Sequence, residues 1–108
     1  MIPSSDEAYP ALFGQFRVVF NEDWPLDWDT PDAALRAGAD LFWPQDVQRR
    51  ILAEVRALLT DFGDDADLDE FTTRDFYPFG FDPADYGYSS REWWQRVVDF
   101  LNVRLTSE

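Results

Sequence analysis

Apolar residues recur along the chain at spacings of three and four, which is the pattern of helices that bury one face. In residues 9–20 these positions are Leu12, Phe13, Phe16, Val19 and Phe20. Pro10 suits a first helical turn, where its missing N–H would have no partner anyway. The pattern predicts a first helix from Tyr9 to Phe20.

A second and a third helix follow. Thr30 can cap the second helix with Pro31 at its first position, and the pattern extends to about Phe42. Pro44 can start the third helix, and Gly63 can end it in a left-handed conformation. Its apolar stripe consists of Val47, Ile51, Val55, Leu58, Leu59 and Phe62. This is the clearest periodicity in the chain and predicts the central core helix.

The last third of the chain predicts two helices separated by an aromatic-rich segment. A short helix is expected from Asp67 to about Thr73, because acids are favoured at helix N-termini. Ser89 and Glu92 form a capping box, which starts the last helix. That helix has an apolar stripe of Trp94, Val97, Val98, Leu101 and Leu105. Residues 75–88, rich in aromatics, Pro and Gly, are expected to be irregular, with a short hairpin arm as the alternative.

These elements predict a mostly α fold, a single compact bundle of about five helices with an aromatic-rich irregular loop before the last one. The chain has 108 residues and contains no internal repeat or Gly/Ser-rich linker. That length fits one domain with a real core and is too short for two. Residues 1–108 are therefore expected to form a single domain.

Charge restricts the classes of partner. The chain has 22 Asp and Glu against nine Arg, with no Lys and no His, and a formal net charge of −13. Affinity for phosphate comes from displacing counterions with basic side chains, so binding to nucleic acid or to an anionic membrane is not expected. The acidic N-terminal residues do not form a secretory signal, and no apolar run approaches a membrane span. We expect a cytoplasmic protein with a basic macromolecular partner.

The missing residue types also exclude most chemistry. Without Cys, His or Lys there is no thiol nucleophile, imidazole base, Schiff base or common transition-metal ligand set. The Asp65, Asp67 and Asp69 alternation begins like a calcium loop, but Glu70 replaces the required Gly and Phe76 the bidentate Glu. Carboxylate pairs, as in glycosidases, occur in any acidic protein. We expect no catalytic residue, no metal and no cofactor, and so not an enzyme.

The surplus acids are concentrated in two stretches that hold eleven of the 22. On the predicted helices Arg36, Arg50 and Arg96 each follow an acid by four residues, which predicts ion pairs within helices. Two stretches of acids have no basic residue among them: Glu22, Asp23, Asp27, Asp29 and Asp32 come before Arg36, and Asp61, Asp64, Asp65, Asp67, Asp69 and Glu70 come before Arg74. Each stretch can be a solvated, helix-capping loop or a negative surface for a basic partner. Trp24 and Trp28 can be interface anchors or core residues.

Short motifs along most of the chain resemble the CdiI-type immunity proteins of bacterial contact-dependent growth inhibition. The first run comprises Tyr9, Pro10, Leu12, Phe16, Phe20, Asn21, Asp23, Trp24, Leu26, Asp27, Trp28, Thr30 and Pro31. Residues 47–59 resemble the family's long helix. The closing run comprises Tyr77, Pro78, Gly87, Tyr88, Ser89, Arg91, Glu92 and Trp93. The chain departs from the family pattern in residues 79–86, which are longer and more aromatic, and at Trp28.

The resemblance implies a cytoplasmic protein that binds and neutralises the C-terminal toxin domain of its own CdiA effector, commonly a nuclease. An acidic surface would then occlude the toxin's basic surface without chemistry. We predict toxin contacts at Glu22, Asp23, Asp61, Asp64, Asp65, Asp67, Asp69, Glu70, Phe79, Phe81, Asp82, Asp85 and Tyr86. The alternative is an acidic adaptor or nucleic-acid mimic that binds a host DNA- or RNA-binding protein.

Overall fold

The computed structural model describes residues 8–20, 28–75 and 83–106, with the side chain of Asp75 left out. These residues contain five α-helices and no strand: α1 Pro10–Val19, α2 Pro31–Ala37, α3 Gln45–Asp61, α4 Asp65–Asp75 and α5 Ser90–Thr106. A π-helical segment, Gly38–Phe42, continues α2, and a 3₁₀ turn, Pro83–Tyr86, precedes α5. The predicted mostly α bundle of about five helices is confirmed. In the described ranges, no helix combines the length and apolar character that crossing a membrane requires.

The predicted caps explain where two helices begin. Thr30 Oγ1 accepts the N–H of Ala33 at 3.1 Å, as an N-cap residue should. At α5, Ser89 Oγ accepts the N–H of Glu92 at 3.1 Å, and Glu92 Oε1 accepts the N–H of Ser89 at 3.0 Å. Both the cap and the capping box are confirmed.

Two helix ends differ from the prediction. Gly63 is not left-handed; Gly87, at the end of the 3₁₀ turn, is the glycine with positive φ (83°) among the described residues. Helix α3 instead ends with Phe62 N–H bonded to the Leu58 carbonyl at 3.0 Å. Helix α4 begins earlier than predicted, because Asp64 Oδ1 accepts the N–H groups of Ala66 and Asp67 and so caps it.

The core lies where α3 and α5 pack together, with α1 packed against α3 and α4 packed against α5. Phe16 is fully buried at its centre. Its ring lies 5.3 Å from Phe20, 5.4 Å from Trp43 and 5.6 Å from Trp94, measured between centroids. Aromatic pairs at these distances add attraction beyond area burial. Phe16 thereby joins α1 to α5 and to the residue that follows the π-helical segment.

The π-helical segment exists because of packing around Trp43. The N–H of Trp43 bonds the Gly38 carbonyl five residues back, at 2.9 Å. The indole covers Gly38 and donates from Nε1 to the Gln15 carbonyl at 3.3 Å. Buried Gln48 donates from Nε2 to the carbonyls of Ala39 at 3.2 Å and Trp43 at 2.9 Å. Backbone acceptors at the helix end are satisfied in this way by a side chain of α3.

The prediction of ion pairs within helices is wrong for Arg36, Arg50 and Arg96. Arg96 pairs with a different helix, and within the described residues Arg36 and Arg50 make no ion pair. Arg96 contacts Asp32 at 3.0 Å, between Nε and Oδ1, and not Glu92, which is used in the capping box. Arg104 likewise contacts Asp40 of the π-helical segment at 2.5 Å. These pairs tie α5 to α2 and to the residues that follow it.

Candidate partner-binding face

Six of the predicted contact acids lie together at the junction of α3 and α4. They form what we call the acidic corner: Asp61, Asp64, Asp65, Asp67, Asp69 and Glu70. All six are exposed. The core residues of α4, Leu68, Phe71 and Thr72, face the bundle and leave the acids on the outer side.

The acidic corner holds the whole charge surplus of the side chains that the structure describes. Those side chains comprise fourteen Asp and Glu and nine Arg. Removing the six acids of the corner and their neighbour Arg74 leaves eight acids and eight arginines. Outside this segment the described charges are therefore balanced. The surplus of five negative charges on the described side chains comes from the segment alone.

Asp61 is held by a tyrosine from the start of α1. Tyr9 donates its hydroxyl to Asp61 Oδ2 at 2.6 Å, and Tyr9 itself is only 2% exposed. Its ring meets the Phe71 ring edge to face at 5.7 Å. Burial, and then the hydrogen bond to Asp61 and its negative charge, raise the pKa of Tyr9 well above its ordinary value. The Tyr9 hydroxyl thus fixes one end of the acidic corner.

This contact predicts how stability depends on pH. We expect Tyr9→Phe to cost about 1 kcal/mol of unfolding free energy near pH 8, because it removes a hydrogen bond to a carboxylate. The raised pKa means that the unfolded chain ionises first, so this stabilisation is complete below about pH 10 and falls above it. Urea unfolding of both proteins at pH 8 and pH 11 measures the change.

The control for this prediction is Leu41→Ala, because the Leu41 side chain is 71% exposed. It should leave the unfolding free energy within about 0.5 kcal/mol of wild type at pH 8. A difference between wild type and Tyr9→Phe that stays constant, or grows, from pH 8 to pH 11 would contradict the assigned role of the hydroxyl.

Asp65 and Asp69 connect the acidic corner to the start of α5. Arg91 Nε donates to Asp65 Oδ1, and its Nη2 donates to the Phe62 carbonyl at 2.6 Å. Ser90 donates its hydroxyl to Asp69 Oδ1 at 2.8 Å. The two aspartates lie one helical turn apart on α4. The residues whose alternation resembles the start of a calcium loop are therefore helical. Residues 8–20, 28–75 and 83–106 hold no group of three or more acids placed to ligate a metal ion.

Asp67 and Glu70 differ from the other four acids. Both are exposed, and neither carboxylate makes a hydrogen bond or an ion pair within the described part of the chain. They lie three residues apart on α4 and therefore share a face of that helix. These two carboxylates are available to a partner without the loss of an internal contact.

The other predicted contact residues are only partly described. Asp85 and Tyr86 lie exposed in the 3₁₀ turn, which contacts α5. Trp28 is half-buried against the core, as its core interpretation requires. Outside the described residues lie the predicted contacts Glu22, Asp23, Phe79, Phe81 and Asp82, together with Trp24 and most of the possible hairpin arm.

Three further residues belong to the site without any indication of their contacts there in their sequence context: Tyr9, Ser90 and Arg91. All three bond to acids of the corner and set its geometry. Tyr9 and Arg91 belong to the two motifs on which the family resemblance rests. Their position in these motifs is the one feature of the sequence that marks them, but neither motif indicates which acid each residue contacts.

A family model described as CdiI immunity protein matches residues 8–101. The matched range includes the acidic corner, Tyr9 and all but the end of α5. No curated protein and no solved structure matches the chain significantly.

Proposed function

The chain belongs to the CdiI immunity protein family, and from that premise we propose that it binds the C-terminal toxin domain of its cognate CdiA effector in the cytoplasm and neutralises it there. We further propose that the toxin is a nuclease and that the acidic corner covers its basic surface. Members of the family are inhibitors that bind a toxin, which agrees with a chain lacking Cys, His and Lys.

The observation that carries the proposal is the location of the charge surplus. The corner and its neighbour Arg74 together contribute five negative charges, whereas the remaining described acids and arginines balance at eight each. Gathering like charge in one place costs stability through self-repulsion, and a basic partner relieves that cost. Charge complementarity also accelerates association and selects the partner.

The proposed mechanism is occlusion. A nuclease must present cationic side chains to its nucleic-acid substrate. Carboxylates of the corner would bind those cationic side chains in place of the substrate's phosphates. Asp67 and Glu70 are the first candidates. The remaining proposed contacts are Asp85 and Tyr86, together with Glu22, Asp23, Phe79, Phe81 and Asp82. No bond is made or broken by this chain in such a mechanism.

A binding and inhibition experiment tests the proposal. The C-terminal domain of the cognate effector, whose gene we expect directly upstream, is co-expressed with this protein, purified, and then assayed alone on RNA and DNA. We expect a stable complex, cleavage by the isolated domain, and loss of cleavage at one equivalent of the protein. Full cleavage at a saturating concentration would contradict neutralisation. Absence of a complex, with capture of a host nucleic-acid-binding protein, would favour the adaptor alternative.

A further inference from the structure

A shallow groove follows the exposed side of α5 for most of its length. It consists of three depressions in series. The first lies between the starts of α4 and α5, and it shares Arg91 with the second. The second shares Arg96 and Asp99 with the third, which extends to Arg36 of α2 and Arg104. At 1.5 Å per helical residue, the path from Ser90 to Arg104 is about 20 Å long.

The two ends of the groove differ in charge. The first end borders the acidic corner, where Asp65 and Asp69 line it. The other end is lined by Arg36, Arg96 and Arg104, three of the nine arginines in the chain, and by one acid, Asp99. Arg96 is paired with Asp32 and Arg104 with Asp40, so the charges of these two arginines are largely neutralised within the protein.

Arg36 is the exception at this end. It is exposed, and within the described residues its guanidinium makes no hydrogen bond or ion pair. The nearby carboxylates are used elsewhere: Asp99 accepts from Gln95 at 3.1 Å, and Asp32 accepts from Arg96 and Tyr88. Beside Arg36 the third depression has two apolar lining residues, half-buried Phe100 and Val103, which is 66% exposed.

We propose that this groove is a second contact with the toxin domain, and this inference rests on the proposed function. The occupant is a toxin segment about 20 Å long that lies along α5. It carries basic side chains where it meets the acidic corner, an apolar side chain against Val103 and Phe100, and a carboxylate that pairs with Arg36. A guanidinium and a carboxylate suit each other as a hydrogen-bonded ion pair.

The direction in which affinity changes after one charge reversal distinguishes this contact from general electrostatic attraction. The protein is strongly acidic, and its proposed partner is basic at the acidic corner. If only long-range attraction mattered, replacing any exposed arginine with glutamate would leave binding equal or make it tighter. A specific pair between Arg36 and a toxin carboxylate predicts the opposite for that one position, because the new glutamate repels its partner.

The experiment compares Arg36→Glu with Arg50→Glu, a matched control on α3. Arg50 is also exposed, makes no ion pair or hydrogen bond through its side chain in the described structure, and lies outside the groove. Affinity for the purified toxin domain is measured by calorimetry, and thermal unfolding of each variant verifies folding. We expect Arg36→Glu to bind about tenfold more weakly than wild type, and Arg50→Glu to bind equally or slightly more tightly.

Each outcome separates the two proposals. Binding of Arg36→Glu at or above the wild-type affinity overturns the groove contact while leaving the acidic corner in place. Equal weakening by both arginine substitutions also overturns it, since the effect would not be specific to the groove. If wild type does not bind the toxin domain at all, the proposed function itself fails. A further variant, Val103→Asp, should weaken binding as Arg36→Glu does, and wild-type affinity for it would contradict the apolar contact.

Discussion

Replacing Asp67 and Glu70 together with lysine should weaken binding to the toxin domain about 100-fold at low ionic strength, and each single replacement about tenfold. Both carboxylates are exposed and unpaired within the described structure, so nothing internal compensates for their loss. Lysine at these positions would repel the cations that the carboxylates are proposed to bind. Calorimetric titration of the toxin domain into each variant measures the effect.

Asp46→Lys is the control for each single replacement. Asp46 is an exposed acid in the first turn of α3, as Asp67 is in the first turn of α4, so the net charge change and the helix-end effect are the same. We expect this control to change affinity less than about threefold. If Asp46→Lys weakens binding as much as Asp67→Lys, net charge rather than the acidic corner determines affinity.

The structure also shows which acids make poor tests. Asp64 caps α4, Asp65 bonds Arg91 and Asp69 bonds Ser90. Replacing these three aspartates with lysine would remove internal contacts together with surface charge, so weaker binding could reflect a displaced helix. The sequence alone treats all the acids of the stretch as equivalent. The Asp64 cap, the contact of Tyr9 with Asp61 and the packing of α4 against α5 separate Asp67 and Glu70 from the others.

The second large effect concerns the π-helical segment. We expect Gly38→Ala to lower the unfolding free energy by about 2 kcal/mol, because a Cβ there would lie 2.7 Å from Trp43 Cη2. The backbone of Gly38 is ordinary right-handed helix, with φ −55° and ψ −51°, so the cost comes from lack of space and not from torsion. Urea unfolding followed by tryptophan fluorescence measures the change.

Gly14→Ala provides the matched comparison. Gly14 lies exposed in the interior of α1, and a Cβ there would meet nothing within 4 Å. Replacing a helical glycine under those conditions stabilises by about 0.5–1 kcal/mol. The two substitutions should therefore have opposite signs. Stabilisation by Gly38→Ala would show that the indole of Trp43 does not cover this position as described.

Features set by neighbouring residues could be predicted from the sequence. The stripe from Val47 to Phe62 predicted α3, and the Ser89 and Glu92 pair predicted the start of α5 within one residue. Caps and periodicity depend on contacts within one or two helical turns, which a sequence displays directly. The same reasoning located the acidic stretch that forms the corner.

Features set by distant residues could not be predicted. The π-helical segment depends on the Trp43 ring over Gly38 and on Gln48 reaching two carbonyls, and no periodicity shows either. Arg96 has an acid four residues before it, yet it pairs with Asp32, 64 residues away in sequence. The division of the corner into bonded and open carboxylates arises in the same way, from the docking of Tyr9 and the start of α5.

The dependence of toxin affinity on salt tests the central claim most directly. The dissociation constant of the wild-type complex and of the Asp67→Lys, Glu70→Lys double variant is measured from about 50 to 500 mM NaCl, where the Debye length falls from about 14 to 4 Å. If exposed carboxylates of the corner hold a basic toxin surface, wild-type affinity falls at least tenfold over this range and the double variant shows a clearly smaller slope. Equal slopes for the two proteins, or a wild-type affinity that salt does not change, would contradict the account.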